Sequence, residues 1–103
     1  MNISSTHENG MSVVFLAGEL DEHSADIVRR ELDKRIVGDN NYSKLVFDLS
    51  QLSFMDSTGI GVIIGRYKLA RQHNKQIFVR RPSETVDKIF QMSGLYEIIA
   101  KIN

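Results

Sequence analysis

Residues 52–68 read LSFMDSTGIGVIIGRYK, and the fold class turns on this stretch. Ile60, Ile63, Ile64 and Tyr67 recur at the i, i+3, i+4, i+7 spacing of an amphipathic helix. Val62 and Leu69 lie off that stripe, so the helix is apolar over more than one face. Such a helix is either deeply buried or leaves apolar surface for a partner, and burial is the default expectation. Asp56 or Ser57 stands where the N-cap belongs, and either side chain can accept hydrogen bonds from the first free amides. Capping serines are common, and a cap alone says nothing about activity. The run Ser57, Thr58, Gly59, Gly61 says more, because glycines permit close backbone approach to the two hydroxyls. The active site of another protein can then reach them.

Upstream, Leu45, Val46 and Phe47 form a short continuous apolar run ending at Asp48, the pattern of a strand covered on both faces. This is the expected sheet centre, followed by a loop that leads into the helix. Asn2 to His7 reads as a strand, turned by Asn9 and Gly10 into a second strand from Ser12 to Ala17 that Gly18 should end. From Ser24 to Val37 the residues Val28, Leu32 and Ile36 share a helical face, with Ser24 as cap and Gly38 as stop. Downstream, Gln76 to Arg80 carries a buried strand, and Pro82 with Ser83 introduces a helix bearing Val86, Ile89 and Phe90. Gly94 should end that helix, Leu95 supplies the accompanying hydrophobic contact, and Ile98 to Ile102 suits a last short strand. The class is α/β: one domain over residues 1–103, with a mixed sheet of four to five strands packed with helices.

A chain of 103 residues buries roughly 60–70% of its unfolded surface on folding, enough for one modest core. Apolar residues at 42% and charged residues at 25%, with a single proline, describe a globular protein rather than a disordered one. The absence of cysteine removes disulfides and thiolate metal sites and suits a reducing cytosol, so a cytoplasmic location is expected. The opening residues MNISSTHENG do not read as a secretory leader, so none is expected, and no apolar run in the sequence approaches membrane-spanning length. A formal net charge of zero lacks the electrostatic footprint of a direct nucleic-acid binder.

Other patterns carry less. Arg66, Lys68, Arg71, Lys75, Arg80 and Arg81 follow one another with no acid between them; they suit helix-end electrostatics or, less readily, an acidic partner. Gly61 and Gly65 suit close helix packing better than nucleotide binding, since no strand leads directly into a glycine fingerprint. His7, His23 and His73 lack ligand spacing, so no metal or cofactor is expected. A triad of Ser57, His23 and Asp21 lacks the glycine two positions before the serine that a nucleophile elbow requires. Asp48 at a strand end offers an alternative, a receiver-like phosphoacceptor, for which the GELDE segment, residues 18–22, only loosely imitates the acidic magnesium cluster.

The segment DLSQLSFMDSTGIGVIIGRYK, residues 48–68, resembles the motif of anti-sigma factor antagonists of the STAS domain family. GELD at residues 18–21 resembles the family's first loop, and MSGL at residues 92–95 its last helix end, so the likeness spans nearly the whole chain. Within the family the sporulation type is most similar, and the stress-response type follows closely. The resemblance implies a protein without catalysis of its own. Its partner would be an anti-sigma factor that is also a serine kinase of the ATPase type, bound in the unphosphorylated form so that the sigma factor is released. Phosphorylation at Ser57 would end that binding, and a metal-dependent serine phosphatase would restore it. Asp21 would help shape the partner contact and Asp56 would flank the acceptor, with Thr58, Gly59 and Gly61 completing the surface. A third reading is a STAS docking module in a larger signalling complex, with Ser57 never modified.

Overall fold

The computed structural model describes residues 1–103. Its elements in chain order are β1 (Asn2–Glu8), β2 (Met11–Leu20), α1 (Ala25–Gly38), β3 (Lys44–Asp48), β4 (Leu52–Met55), α2 (Ser57–Gln72), β5 (Gln76–Arg80), α3 (Glu84–Met92) and β6 (Ala100–Ile102), with a 3-10 turn at Leu95–Glu97. The sheet runs β1-β2-β3-β5-β6, and β4 pairs separately with β2. Only the β1–β2 hairpin is antiparallel; β2–β3, β3–β5, β5–β6 and β2–β4 are all parallel. The five strands expected from the sequence are present, and β4 is an addition to them.

Parallel register puts partners on the same face of the sheet. Val14, Phe47 and Val79 stand in line, as do Leu45 and Ile77. These residues join Val28, Leu32 and Ile36 of α1, Val62, Ile63 and Ala70 of α2, and Val86 and Phe90 of α3 in one core of 22 buried residues. Val13 and Val46, on the opposite face, are fully buried but stand outside that core. The C-terminal end is tied down through Asp87, whose Oδ1 accepts hydrogen bonds from Tyr96 Oη and from Lys101 Nζ.

Four features differ from the sequence expectation. Gly18 does not end β2: its φ of +121° accommodates a register shift between Gly18 and Glu19, after which the strand continues to Leu20 alongside β4. β4 escaped detection because only its first and last residues, Leu52 and Met55, are buried, so it shows no alternation. In α2 the deeply buried positions are Val62, Ile63 and Ala70, while Ile60, Ile64, Tyr67 and Leu69 pack only partly against the core. Packing against α1, β4 and β5 rotates the inward face away from the stripe counted on the sequence. Ser24 precedes α1 but its side chain caps no amide of the helix.

Candidate functional site

β2 and β4 end level, with Leu20 opposite Met55. The residues that follow each strand, Asp21 and Asp56, therefore leave the same end of the sheet, and the Asp56 amide donates to the Leu20 carbonyl at 3.3 Å. No loop follows β4. Asp56 is the N-cap of α2, in extended conformation, and its Oδ1 accepts from the Gly59 amide at 3.1 Å. Of the two capping candidates the acid takes the cap, so the exposed Ser57, first residue of the helix, keeps its hydroxyl outside the capping network.

Gly59 explains how the entrance of α2 is held so closely. A Cβ at this position would lie 2.5 Å from Met55 Cγ and 2.6 Å from the Leu20 carbonyl oxygen. No side chain fits, and the first turn of the helix rests directly on the ends of β2 and β4. Thr58 is half-buried beside Ser57, whereas Gly61 is exposed. Gly61 and Gly65 each face open space, which corrects the expectation that they serve close helix packing.

The Asp21 loop is equally ordered. Asp21 Oδ1 accepts from the His23 amide at 2.9 Å and the Ser24 amide at 3.1 Å. Ser24 Oγ accepts from the Asp21 amide and donates to the Glu19 carbonyl at 2.7 Å. The hydrogen bond from the Ser24 amide is the main reason that the Asp21 carboxyl sits below the ordinary carboxylate range. Ser24 thus braces the loop rather than the helix. Two apolar side chains that the sequence reading did not select also stand out: Phe54 on β4 and Ile27 in the first turn of α1 are 43% and 50% exposed. Phe54 is identifiable only once β4 is known to pair with β2 alone.

Asp48 is elsewhere and differently placed. Its side chain is fully buried, Arg80 Nε donates to Oδ2 at 2.8 Å, and the Ser50 hydroxyl donates to Oδ1 at 2.6 Å. Burial pushes the Asp48 carboxyl up, but the hydrogen bonds from Ser50 and the Arg80 guanidinium outweigh it and hold the group below its usual range. Arg80 also donates to Glu8 at 2.9 Å. A carboxylate enclosed in this way offers no oxygen to a phosphodonor, so the receiver-like reading fails. The basic strip also disperses: Arg66 pairs with Asp33 at 2.9 Å, Arg80 with Asp48, and Lys75 Nζ donates to the Ile36 carbonyl at 2.7 Å. What remains exposed, chiefly Lys68, Arg71 and Arg81, does not amount to a strip. His7, His23 and His73 are all exposed. No helix is long and apolar enough to cross a membrane.

The family model described as STAS domain matches residues 2–103. An anti-sigma F factor antagonist of Paenibacillus polymyxa is 39% identical over 96% of this chain and 84% of its own length. The structure of the anti-sigma factor antagonist SpoIIAA in its unphosphorylated form superposes with a TM-score of 0.79 at 28% identity, covering 99% of this chain and 89% of that one. The Bacillus cell fate determinant SpoIIAA in the phosphorylated form gives 0.71 at 27% identity, with 99% and 92% covered.

Proposed function

The chain belongs to the STAS domain family, and on that premise we propose that it is an anti-sigma factor antagonist working by partner switching, with Ser57 as the residue modified. Unphosphorylated, it binds an anti-sigma factor and thereby frees the sigma factor. The anti-sigma factor is also a serine kinase of the ATPase type: the Ser57 hydroxyl oxygen attacks the γ-phosphorus of ATP, ADP departs, and the hydroxyl proton is released. A serine phosphatase hydrolyses the phosphoserine and resets the switch. The chain contributes an acceptor rather than catalytic machinery, and it works in the cytoplasm.

The observation that carries this reading is the division of labour at the α2 entrance. Asp56 caps the helix and Ser57 does not, so an exposed hydroxyl stands on a fixed frame where a kinase site can enclose it. Asp21, Asp56, Thr58 and Gly61 make the surface around it, buried Gly59 seats the turn beneath, and exposed Ile27, which lines a shallow pocket with Asp21, adds an apolar contact.

Electrostatics then decide what phosphorylation does. A phosphoserine carries about −1.5 to −2 charges, and helix N-termini attract anions. Here the Asp56 carboxylate already occupies the Gly59 amide, and the charges of Asp56 and Asp21 oppose a new anion. Phosphate therefore neither unfolds the domain nor draws it into a new shape. The loss of affinity arises in the partner's closed site, where a bulky charge is left unpaired.

Intact-mass measurement after incubation with the cognate kinase and ATP tests the assignment. One phosphate is expected on the wild type and on Thr58→Ala, and none on Ser57→Ala. A phosphate that survives Ser57→Ala overturns it. Backbone NMR shifts before and after modification should change around residues 20–24 and 54–62 only; changes spread through the central strands would refute a switch located at the interface.

A further inference from the structure

The last strand leaves its neighbour partly unpaired. β5 runs from Gln76 to Arg80, but β6 pairs only with Phe78, Val79 and Arg80. Beside the uncovered start of β5 lies a cavity of about 260 Å³, lined chiefly by Tyr67 and Arg71 of α2, Ile77 and Phe78 of β5, and Ile98 and Ala100 at the entry to β6.

Two donors at this cavity lack an acidic or backbone acceptor. The first is a main-chain amide. The Gln76 amide donates to the Ser43 carbonyl at 2.9 Å, and the Arg80 carbonyl accepts from the Leu49 amide at 3.0 Å. Gln76, Phe78 and Arg80 therefore direct their backbone groups towards β3, and the alternate residues Ile77 and Val79 direct theirs towards β6. With Phe78 opposite Ala100, the parallel ladder joins Ala100 to the Ile77 carbonyl and the Val79 amide. The Ile77 amide falls one residue short of that ladder. Ile77 is only 6% exposed, and a buried amide requires an acceptor. The second donor is Arg71. Its Nη1 donates to Tyr67 Oη at 3.2 Å, with the guanidinium 5.8 Å from the centre of the Tyr67 ring. That partner is neutral, and none of the ion pairs in the chain involves Arg71. Lys75, the other cation at the cavity, is turned away to the Ile36 and Asp39 carbonyls.

We propose that this cavity binds a small monocarboxylate with a short apolar tail. The Arg71 guanidinium and the Ile77 amide hold the carboxylate through charge-assisted hydrogen bonds, and the tail lies against Phe78, Ile98 and Ala100. One uncompensated cation matches one negative charge, which selects a carboxylate over a phosphate dianion. The apolar lining rewards a tail that a bare inorganic anion does not have. Ile98, 41% exposed, gains cover from that tail. The volume lies just below the usual range of ligand cavities, about 300–1,000 Å³, so the tail is limited to a few carbons. Tyr67 and Arg71 stand about 15–21 Å further along α2 than Ser57, so the cavity is separate from the helix entrance.

Titration of the ¹⁵N-labelled whole chain with sodium hexanoate at constant ionic strength, followed by NMR, tests the proposal. Saturable shifts are expected at the Ile77 amide and the Arg71 Nε–H. Affinity should rise from acetate through butyrate to hexanoate, by up to about fourfold for each methylene buried. Hexanamide, which lacks the charge, and inorganic phosphate, which lacks the tail, should both leave these signals in place. Arg71→Gln removes the cation at an exposed position and should weaken hexanoate binding about tenfold or more. Ile98→Glu sets a carboxylate at the mouth and should do the same, and it decides if Arg71→Gln does not fold. Shifts that stay linear with concentration overturn the proposal, as does hexanamide or phosphate binding as tightly as hexanoate, or binding that survives Arg71→Gln. None of these outcomes depends on the role of Ser57.

Discussion

Asp48 ends β3 and Ser57 opens α2 just after β4; both bear oxygens close together in the chain, yet the fold gives them opposite surroundings. β3 lies between β2 and β5, and the register that aligns Asp48 with Arg80 supplies a cation to a side chain with no access to solvent. β4 pairs with β2 alone, and the helix that follows it begins with its first residue in the open. A polar group at a strand end is structural when neighbours on both sides enclose it. It is available for chemistry when a rigid frame holds it and nothing covers it.

The largest effects separate these two roles. Ser57→Ala should abolish phosphate acceptance while leaving stability within about 0.5 kcal/mol, as for an exposed site free of special contacts. Arg80→Ala should do the reverse, retaining acceptance in the folded fraction while costing about 3–5 kcal/mol, because it leaves a buried carboxylate unpaired. Kinase assay and urea denaturation on the same samples read both. Loss of acceptance in folded Arg80→Ala would break the comparison.

The pH dependence of the second variant sharpens it. In the wild type the Asp48 carboxyl is held below its unfolded value, so its stabilisation is present above about pH 4 and lost as pH falls through the folded value. Without Arg80 and its charge, two of the influences that lower the folded value are gone, so it moves up towards the unfolded one while the Ser50 hydrogen bonds remain. Acidification below about pH 4 should then narrow the stability gap between variant and wild type, because the wild type loses the larger contribution. A gap that widens as pH falls would contradict the assignment of Arg80 as the partner.

Smaller effects are expected at the helix entrance itself. Gly59→Ala forces a methyl group against Met55 and the Leu20 carbonyl, an overpacking that should cost about 1–3 kcal/mol and slow phosphorylation by displacing Ser57. Asp56→Ala removes the carboxylate that caps the Gly59 amide, and should cost about 1 kcal/mol. In that variant the freed helix amides can meet a phosphate at Ser57, so phosphorylation should raise its thermal midpoint more than that of the wild type. Equal shifts in the two proteins would show that Asp56 does not compete with the phosphate.

Much of the architecture was legible in the sequence because its causes are local. The apolar run at Leu45 to Phe47, the Asn9–Gly10 turn and the start of α3 after Pro82 and Ser83 depend on residues adjacent in the chain, and each appears where expected. The motif around Ser57 was equally visible. What escaped were features that depend on a neighbour distant in sequence. β4 is a strand only because β2 continues past Gly18 to meet it. The choice between Asp56 and Ser57 as cap was open because both have suitable oxygens. The charged residues after Arg66 looked like one strip because their partners Asp33, Asp48 and the Ile36 carbonyl lie far upstream.

The sequence alone determined the class of fold and the helix entrance, since periodicity, capping chemistry and glycine placement are properties of short segments; the proposal of Ser57 as acceptor rests on the family resemblance. Tertiary structure alone decided which oxygens are exposed. Gly59 can sit against β2 and β4 only after those strands end level, and Asp48 is enclosed only after β5 brings Arg80 beside it. Exposure is a property of what packs around a group, and those neighbours are assembled from the whole chain.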